Sequence, residues 1–449
     1  MFTYIKLKNF KSFSNVTLDL QRKKDNPKNL CIIYGPNGSG KSSIVQAFMV
    51  LYRTMGTMKV KDMIMDLLEN KIVPPDDIPI KPEKMLEILK SKLSTNTVES
   101  LIQETKMIDS LGNMILEYGF NINGNSGKYV MEFSDTEIVH ERLEYKILKN
   151  RGCCFDITQE SSKINSNIFN SDEYINDLKK QVEMYWGKHS LLSIFQHEME
   201  EKSGSYVNSN YSQNIIDVLE AFSDISLKVK NSHDRDSSLI SVDNEMLFSL
   251  ESGIIDASEE CKLDEIECVI NEIYTSIFDD VNNVFYKRKE DKDKIIYRLF
   301  LNKQVEDHTF DIDFKYESSG TQELLEILPY LMLAKSGHCV VIDEFGNGIH
   351  ELLAAKVFNG VAKDMLGQLI ITTHNTMIME EKDVTPDSFY YIVNTRSFNK
   401  SIQCITDIED RLHPKYNYRN RYFTKEEYSD SLPKVESTLD FTKLANLYK

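Results

Sequence analysis

The sequence lacks the features that would place the chain in a membrane or outside the cell. It contains no apolar run of 18 residues, whereas a transmembrane helix needs about 20 mostly apolar residues. The N-terminal residues alternate in polarity, as in a strand, and do not resemble a signal peptide. The seven cysteines are odd in number and lack Cys-x-x-Cys spacing, which favours reduced thiols. We therefore expect a cytoplasmic protein without a membrane partner.

The chain also lacks an excess of positive charge. Its formal net charge is −17, and an acidic surface repels phosphate backbones, which disfavours broad affinity for nucleic acids. A local basic patch and a basic protein partner both remain open. The 449 residues, of which 41% are hydrophobic, are enough for two or three domains of a globular protein.

One stretch fits the phosphate-loop pattern, in which spaced glycines precede Lys-Ser or Lys-Thr. Such a loop aims backbone N–H groups at phosphates, and its glycines leave room for their approach. An apolar strand over residues 30–34 precedes the loop, and a helix with apolar spacing follows it. We predict that Lys41 reaches the β- and γ-phosphates of ATP and that Ser42 coordinates Mg²⁺. The predicted nucleotide-binding residues are Gly35, Pro36, Asn37, Gly38, Ser39, Gly40, Lys41, Ser42 and Ser43.

Two later patterns of buried strands end in polar residues. Asp343 and Glu344 follow an apolar run, and His374 follows another. Ligands in open α/β sheets bind at the carboxyl ends of strands, so we expect these side chains near the phosphate loop. Asp343 is predicted to hold Mg²⁺, Glu344 to deprotonate the attacking water, and His374 to contact the γ-phosphate. Together with Lys41, Glu344 and His374 are the predicted catalytic residues.

A fourth pattern, Glu317-Ser-Ser-Gly-Thr-Gln322, has two interpretations. In the simpler one, Ser318 and Ser319 begin a helix, and Glu323 completes a capping box. In the other, this helix end, with Ser318, Ser319 and Gly320, donates hydrogen bonds to a γ-phosphate held by a second subunit.

The four patterns, in this order, resemble those of the ATP-binding-cassette (ABC) ATPases, in their SMC-like and OLD-like branch. The resemblance implies an α/β fold of the ABC-type P-loop class, with a mixed central sheet, an antiparallel β-subdomain and helical insertions. It also implies ATP and Mg²⁺ as cofactors and a homo-oligomer of head-to-tail subunits. The family has a metal-associated glutamine between its lobes, for which we favour Gln159 over Gln196. Gly346 and Gly348 depart from the family pattern, which has Asp and Ser there.

The predicted organisation has three parts. Residues 1–160 form the N-terminal half of the ATPase domain, with the phosphate loop, a β-meander and a helical insertion over 56–110. Residues 161–292 form a second helical insertion, and residues 293–449 form the C-terminal half. An apolar stripe from Leu263 to Val284 has helical spacing; it predicts a core-facing helix or a partner-facing seam.

The OLD nucleases carry a Toprim nuclease domain after the ATPase, and the roughly 55 residues that follow Val393 are too few for one. The chain is therefore similar to stand-alone ATPases of anti-phage defence, such as those of the PARIS and Septu-type systems. That resemblance implies control of a separate toxic effector and a phage-encoded trigger protein. The alternative is a DNA-repair or chromosome-maintenance ATPase that binds DNA.

A basic stretch near the C-terminus is interleaved with tyrosines, a combination that can bind nucleic acid. The alternative is a tail that packs on its own ATPase domain, so we leave nucleic-acid binding open. The basic residues of this stretch are Arg411, Lys415, Arg419, Arg421 and Lys425.

Overall fold

The computed structural model describes residues 1–59, 97–229, 238–242, 245–394, 399–408, 418–419 and 422. Residues 60–96 of the predicted insertion and the basic residues Arg411, Lys415, Arg421 and Lys425 lie outside these ranges. Among the helices that the structure describes, none is long and apolar enough to cross a bilayer.

The secondary-structure elements are numbered along the described chain. The strands are β1 (Phe2–Phe10), β2 (Phe13–Asp19), β3 (Gln21–Lys23), β4 (Asn26–Pro27), β5 (Leu30–Tyr34), β6 (Met114–Ile122), β7 (Asn125–Phe133), β8 (Ile138–Ile147), β9 (Asn150–Thr158), β10 (Ser162–Ile164), β11 (Ile225–Lys228), β12 (Ser252–Asp256), β13 (Val281–Asp291), β14 (Lys294–Val305), β15 (His308–Asp313), β16 (Cys339–Ile342), β17 (Gln368–Thr372), β18 (Phe389–Asn394) and β19 (Lys400–Cys404). The α-helices are α1 (Lys41–Met55), α2 (Val98–Thr105), α3 (Asp172–Tyr185), α4 (Leu191–Glu201), α5 (Gly204–Asn210), α6 (Gln213–Ser223), α7 (Glu245–Phe248), α8 (Glu260–Ile277), α9 (Ser319–Ser336), α10 (Glu351–Ala362) and α11 (Ile405–Ile408).

The central sheet has the strand order β11-β16-β17-β5-β18-β19. Its neighbouring strands are parallel, except that β19 runs antiparallel to β18. Every residue of β5, β16 and β17 is buried, as expected for a parallel sheet that is covered on both faces. Helix α1 belongs to the apolar cluster on one face, and α9 and α10 belong to the cluster on the other.

A second, antiparallel sheet has the order β10-β9-β8-β7-β6-β1-β2. It contains the predicted meander, and the two N-terminal strands extend its edge. A third sheet joins β12, β13, β14 and β15, and β14 and β15 form a hairpin within it. The α/β class, the mixed central sheet and the antiparallel subdomain are thereby confirmed.

The apolar stripe was predicted to run to Val284 as one helix, and this part of the prediction is wrong. Helix α8 ends at Ile277, and Val281 and Val284 lie on β13. Leu263, Ile270 and Tyr274 of the helix are buried in the core, so the core-facing interpretation holds over α8.

The segment 161–292 is also not helical throughout. Strand β11 pairs with β16 in the central sheet, and β12 and β13 pair with β14. The exact domain boundaries stay a prediction.

Candidate functional site

Three strand ends meet at one edge of the central sheet. Strand β17 lies between β16 and β5, and both pairings are parallel. The segments that follow these strands, which carry Asp343 and Glu344, His374, and the phosphate loop (Gly35–Ser42), therefore share that edge. A cavity of about 710 Å³ opens there. Its lining residues are Lys11, Ser12, Asn37, Gly38, Gly40, Lys41, Ser42, Ser43, Gln103, Glu104, Lys106, Ile108, Glu344 and His374.

The phosphate loop owes its shape to its glycines. Gly38 and Gly40 have positive φ angles of 75° and 110°, a conformation that residues with side chains rarely adopt. A Cβ atom on Gly40 would lie 2.6 Å from Cζ of Phe13, and one on Gly35 would lie 2.6 Å from Oγ of Ser39. Helix α1 begins at Lys41, within the last two residues of the loop. Its N-terminal amides and macrodipole favour an anion in the cavity.

Lys41 lines the cavity and is only 6% exposed. Its Nζ donates hydrogen bonds to the carbonyl oxygens of Gly35 at 2.8 Å and Pro36 at 3.2 Å. Burial lowers the pKa of Lys41, and the carboxylates of Asp343 and Glu344 offset part of this effect. The buried ammonium group thus has two carbonyl oxygens as hydrogen-bond acceptors and two carboxylates near enough to stabilise its charge.

Asp343 is also buried, with 5% of its surface exposed. Its Oδ1 accepts a hydrogen bond of 2.5 Å from the Thr372 hydroxyl, and its carboxylate also hydrogen-bonds with Ser42. Burial raises the pKa of Asp343 despite these bonds and the nearby Lys41. Ser42 and Asp343, predicted from the sequence as metal-binding residues, are thus in direct contact.

Glu344 lines the cavity with an unusual backbone conformation. Its φ angle is +53°, and its N–H group donates to the Thr372 hydroxyl at 2.9 Å. Its Oε2 accepts a hydrogen bond of 2.8 Å from Nδ2 of Asn347. Neither Thr372 nor Asn347 was predicted from the sequence, although Thr372 stands two residues before His374.

His374 follows β17 and presents an exposed side chain to the cavity. Partial burial and the positive charge of Lys41 lower its pKa, with a smaller opposing effect from the two carboxylates. This lowered pKa favours the neutral imidazole, which keeps one nitrogen as a donor and one as an acceptor.

The two glycines that depart from the family pattern both have positive φ angles, +79° at Gly346 and +88° at Gly348. Glycine suits both positions for this reason. The loop that contains Gly346 and Gly348 also lies against the start of α9. A Cβ on Gly320 would lie only 2.6 Å from the carbonyl oxygen of Gly348. A side chain at Gly320 would therefore separate the loop from the helix.

Ser318 caps α9, as the simpler interpretation predicted. Its Oγ accepts a hydrogen bond of 3.2 Å from the N–H group of Thr321. The expected capping box is wrong, because Glu323 instead pairs with Lys228 at 3.3 Å. Ser318 and Ser319 are exposed, and neither lines the cavity of its own chain. Their predicted role toward a second subunit stays a prediction.

Gln159, predicted as a metal-associated residue, does not reach the cavity. It lies exposed in the turn between β9 and β10, where it donates a 2.9 Å hydrogen bond to Glu137. That turn is at the far edge of the antiparallel sheet from the β1–β2 turn, which contributes Lys11 and Ser12 to the cavity. The alternative, Gln196, donates to Glu200 on α4.

A different glutamine, Gln103 on α2, lines the cavity. Backbone contacts explain its position: the N–H group of Lys11 donates to Thr105 at 2.7 Å, and Phe10 bridges to Lys106. The sequence carried no signal for this arrangement, because α2 lies outside every motif. Lys11 and Ser12 likewise lie outside the motifs identified in the sequence.

The described residues of the basic stretch pack on the ATPase domain. Arg419 donates to the Thr376 hydroxyl at 2.9 Å and pairs with Glu380 at 3.6 Å. Tyr422 is buried and stacks on Tyr391. For these residues the structure favours a packed tail over a nucleic-acid surface.

Comparison with known proteins adds a family match over most of the chain. Residues 1–379 match the family model described as an AAA ATPase domain. A segment of 57 residues is 44% identical to the chromosome partition protein Smc of Methanocaldococcus jannaschii. This match covers 13% of the chain and 4% of that protein, so the chain spans a small part of this relative.

Solved structures with similar folds include two SMC heads. The SMC head domain from Thermotoga maritima is 14% identical with a TM-score of 0.35, over 90% of this chain and 98% of that one. The other is the Smc head domain with an extended coiled coil, bound to the C-terminal domain of ScpA and derived from Pyrococcus furiosus. It is 12% identical with a TM-score of 0.40, over 90% of this chain and 95% of that one.

Proposed function

Because the chain belongs to the family of AAA ATPase domains, we propose that it binds ATP with Mg²⁺ and hydrolyses it to ADP and phosphate. One observation carries this proposal. Lys41, Glu344 and His374 line one cavity, and Asp343 contacts Ser42 beside them, although these residues come from distant parts of the sequence.

The residues at the cavity fit both cofactors chemically. Burial disfavours the charged forms of Lys41 and Asp343 at once, and a phosphate beside Lys41 and a cation beside Asp343 would relieve both. Ser42 and Asp343 offer the hard oxygen ligands that Mg²⁺ prefers, and protein sites usually hold this ion with one or two such groups plus substrate phosphates. When bound, Mg²⁺ neutralises charge on the phosphates.

In this proposal Glu344 is the general base. Its carboxylate faces the cavity, where it accepts the proton of a water molecule, while Asn347 holds it through the bond to Oε2. His374 donates a hydrogen bond that holds the γ-phosphate. Lys41 compensates negative charge on the phosphates.

The experiment replaces Glu344 with Gln, which keeps the shape of the side chain but cannot accept the proton. We expect kcat for ATP to fall by roughly 100-fold or more while ATP binding persists. Glu290→Gln, on the exposed end of β13, is the matched control and should hydrolyse ATP like the wild type. Unchanged turnover in Glu344→Gln would remove Glu344 as the base.

We further propose that two chains assemble head to tail around ATP. Support comes from Ser318 and Ser319, which are exposed at the start of α9 and do not line the cavity of their own chain. A helix start with free N–H groups can bind a phosphate that another subunit holds.

The biological role that we propose is control of a separate toxic effector in anti-phage defence. The ATPase would hold this effector and release it when it senses a phage-encoded trigger protein. The support is the motif resemblance of the sequence, which is an argument by analogy. Co-expression of the ATPase with the products of neighbouring genes tests this role. ATP-dependent binding of a toxic protein would support it. The role would be opposed if no co-expressed protein binds the ATPase and if the growth of the cells does not change.

A second candidate role is DNA binding in chromosome maintenance. The 57-residue match to a chromosome partition protein favours it, and the net charge of −17 opposes it. ATP turnover that rises with added DNA, with a steep dependence on salt, would favour this role over effector control.

A further inference from the structure

Lys400, at the start of β19, contacts the phosphate loop from outside the cavity. Its Nζ donates a hydrogen bond of 2.9 Å to the carbonyl oxygen of Gly38. Gly38 lines the cavity, whereas Lys400 does not. Resting on the ATPase function proposed above, we infer that Lys400 is a positioning residue that fixes the phosphate loop in the form that binds the nucleotide.

The contact holds one peptide unit of the loop at both ends. The carbonyl of Gly38 accepts from Lys400, and the N–H group of Ser39 donates to Pro36 at 3.2 Å. Because these two groups belong to one planar peptide unit, the two bonds together set its orientation. Apart from Gly38 and its two chain neighbours, no described atom lies within 4 Å of where a Cβ of Gly38 would stand. On that side no packing holds the loop, so the two hydrogen bonds set the orientation of this peptide unit.

Without these two hydrogen bonds, the peptide unit between Gly38 and Ser39 would be free to change its orientation. Gly38 has a φ angle of +75°, and glycine populates positive and negative φ about equally well. A reoriented peptide at Gly38 would move the amides that follow it before α1 begins. Ordering such a loop around a ligand would cost conformational entropy, and this cost would weaken binding of the ligand.

The groups around Lys400 favour its contact with the carbonyl oxygen of Gly38. Its Nζ lies 5.8 Å from the ring centroid of Phe13, the same ring that excludes a side chain at Gly40. Burial lowers the pKa of Lys400, and no charged group among the described residues offsets that effect. In a chain with a net charge of −17, this lysine contacts a backbone carbonyl of the loop instead of a carboxylate.

The contact also connects the loop to the last strand of the central sheet. Strand β19 pairs with β18, which pairs with β5, the strand that leads into the loop. Lys400 thus fixes the loop relative to the sheet from the side opposite to Asp343 in the strand order. It affects nucleotide binding without touching the nucleotide.

Lys400→Met and Lys400→Arg test this role through steady-state hydrolysis of Mg-ATP. A loop that is less well ordered binds substrate and transition state equally less well, so loss of this charged hydrogen bond should raise KM roughly tenfold and leave kcat within about twofold. Lys400→Arg keeps a charged donor and should recover most of the affinity. Lys289→Met, at an exposed position on β13, is the matched control and should leave KM unchanged.

The inference is overturned if Lys400→Met keeps the KM of the wild type, or if kcat falls while KM stays constant. It is also overturned if arginine fails to recover affinity in a variant with the unfolding temperature of the wild type. If methionine impairs folding, Lys400→Gln, which keeps a neutral donor, should still raise KM, and an unchanged KM would contradict the role. A wild-type chain that fails to bind Mg-ATP would contradict the proposed function itself, so the two failures differ.

Discussion

At the scale of single residues, two buried charges set the chemistry of the cavity. Burial lowers the pKa of Lys41 and raises that of Asp343, so both charged forms are disfavoured despite their opposite signs. Sites that bind charged ligands commonly carry such costs, because the ligand supplies the missing partner. The fold thus holds these two groups ready for a phosphate and a cation.

Asp343→Asn should therefore stabilise the nucleotide-free protein at neutral pH, by roughly 1 kcal/mol. The amide removes a buried charge and can still accept hydrogen bonds from Thr372 and Ser42. Thermal unfolding of both proteins, without nucleotide and at several pH values, measures the difference.

The pH dependence of this difference has a defined sign. The pKa of Asp343 in the folded protein lies above its ordinary value of 3.8. As the pH falls through the folded pKa, the folded wild type takes up a proton that the unfolded chain does not, and it gains stability. The advantage of Asp343→Asn should shrink over that range. A variant less stable than the wild type at pH 7 would contradict this account.

The sequence identified the site residues that directly follow buried strands. Asp343, Glu344 and His374 could be predicted because the carboxyl ends of parallel strands share an edge. Asn347 and Lys400 could not, since their contacts depend on the left-handed backbone at Glu344 and on the pairing of β19. Gln159 was misplaced because order along the sequence does not reveal which end of the antiparallel sheet lies near the loop.

At the scale of elements, the start of α9 combines two functions. Ser318 caps the helix internally, while Gly320 allows close contact with the loop that follows Glu344. Ser319 lies between them and is exposed. A change at the nucleotide site can therefore reach the surface that we propose to meet a second subunit.

Ser319→Arg tests the element directly. A long side chain at the exposed helix start should block ATP-driven pairing, while the chain remains folded. Light scattering after gel filtration, with and without Mg-ATP in the Glu344→Gln background, gives the mass of the assembly. Ser336→Arg, exposed at the other end of α9, is the control and should pair normally. Normal pairing of Ser319→Arg would reduce this segment to a helix cap.

The end of α8 shows why local spacing can mislead. Val281 and Val284 are three residues apart, which fits a helix, and on a regular strand they would face opposite sides. The pairing of β13 with β14 shifts register between Val281 and Asn283. This bulge turns both valines inward, where they are buried. Pairing with β14 therefore decides the conformation, and the spacing alone could not.

At the scale of the whole molecule, the order of strands in the central sheet creates the site. Strand β5, near the N-terminus, pairs with β17 and β18 from the C-terminal part. The motif order predicted this convergence, and the family resemblance implied the mixed sheet. Strands β1 and β2 extend the meander into one antiparallel sheet. This pairing could not be predicted, because alternation of polar and apolar residues indicates a strand but does not show which strand it pairs with.

The central claim is that one cavity binds Mg-ATP through Lys41. Isothermal titration of the wild type, Lys41→Ala and the exposed control Lys289→Ala measures it most directly. We predict Mg-dependent ATP binding by the wild type and the control, and an affinity roughly 100-fold lower for Lys41→Ala, which loses a buried ammonium–phosphate contact. Equal affinity in Lys41→Ala, or no binding of Mg-ATP by the wild type, would contradict the account.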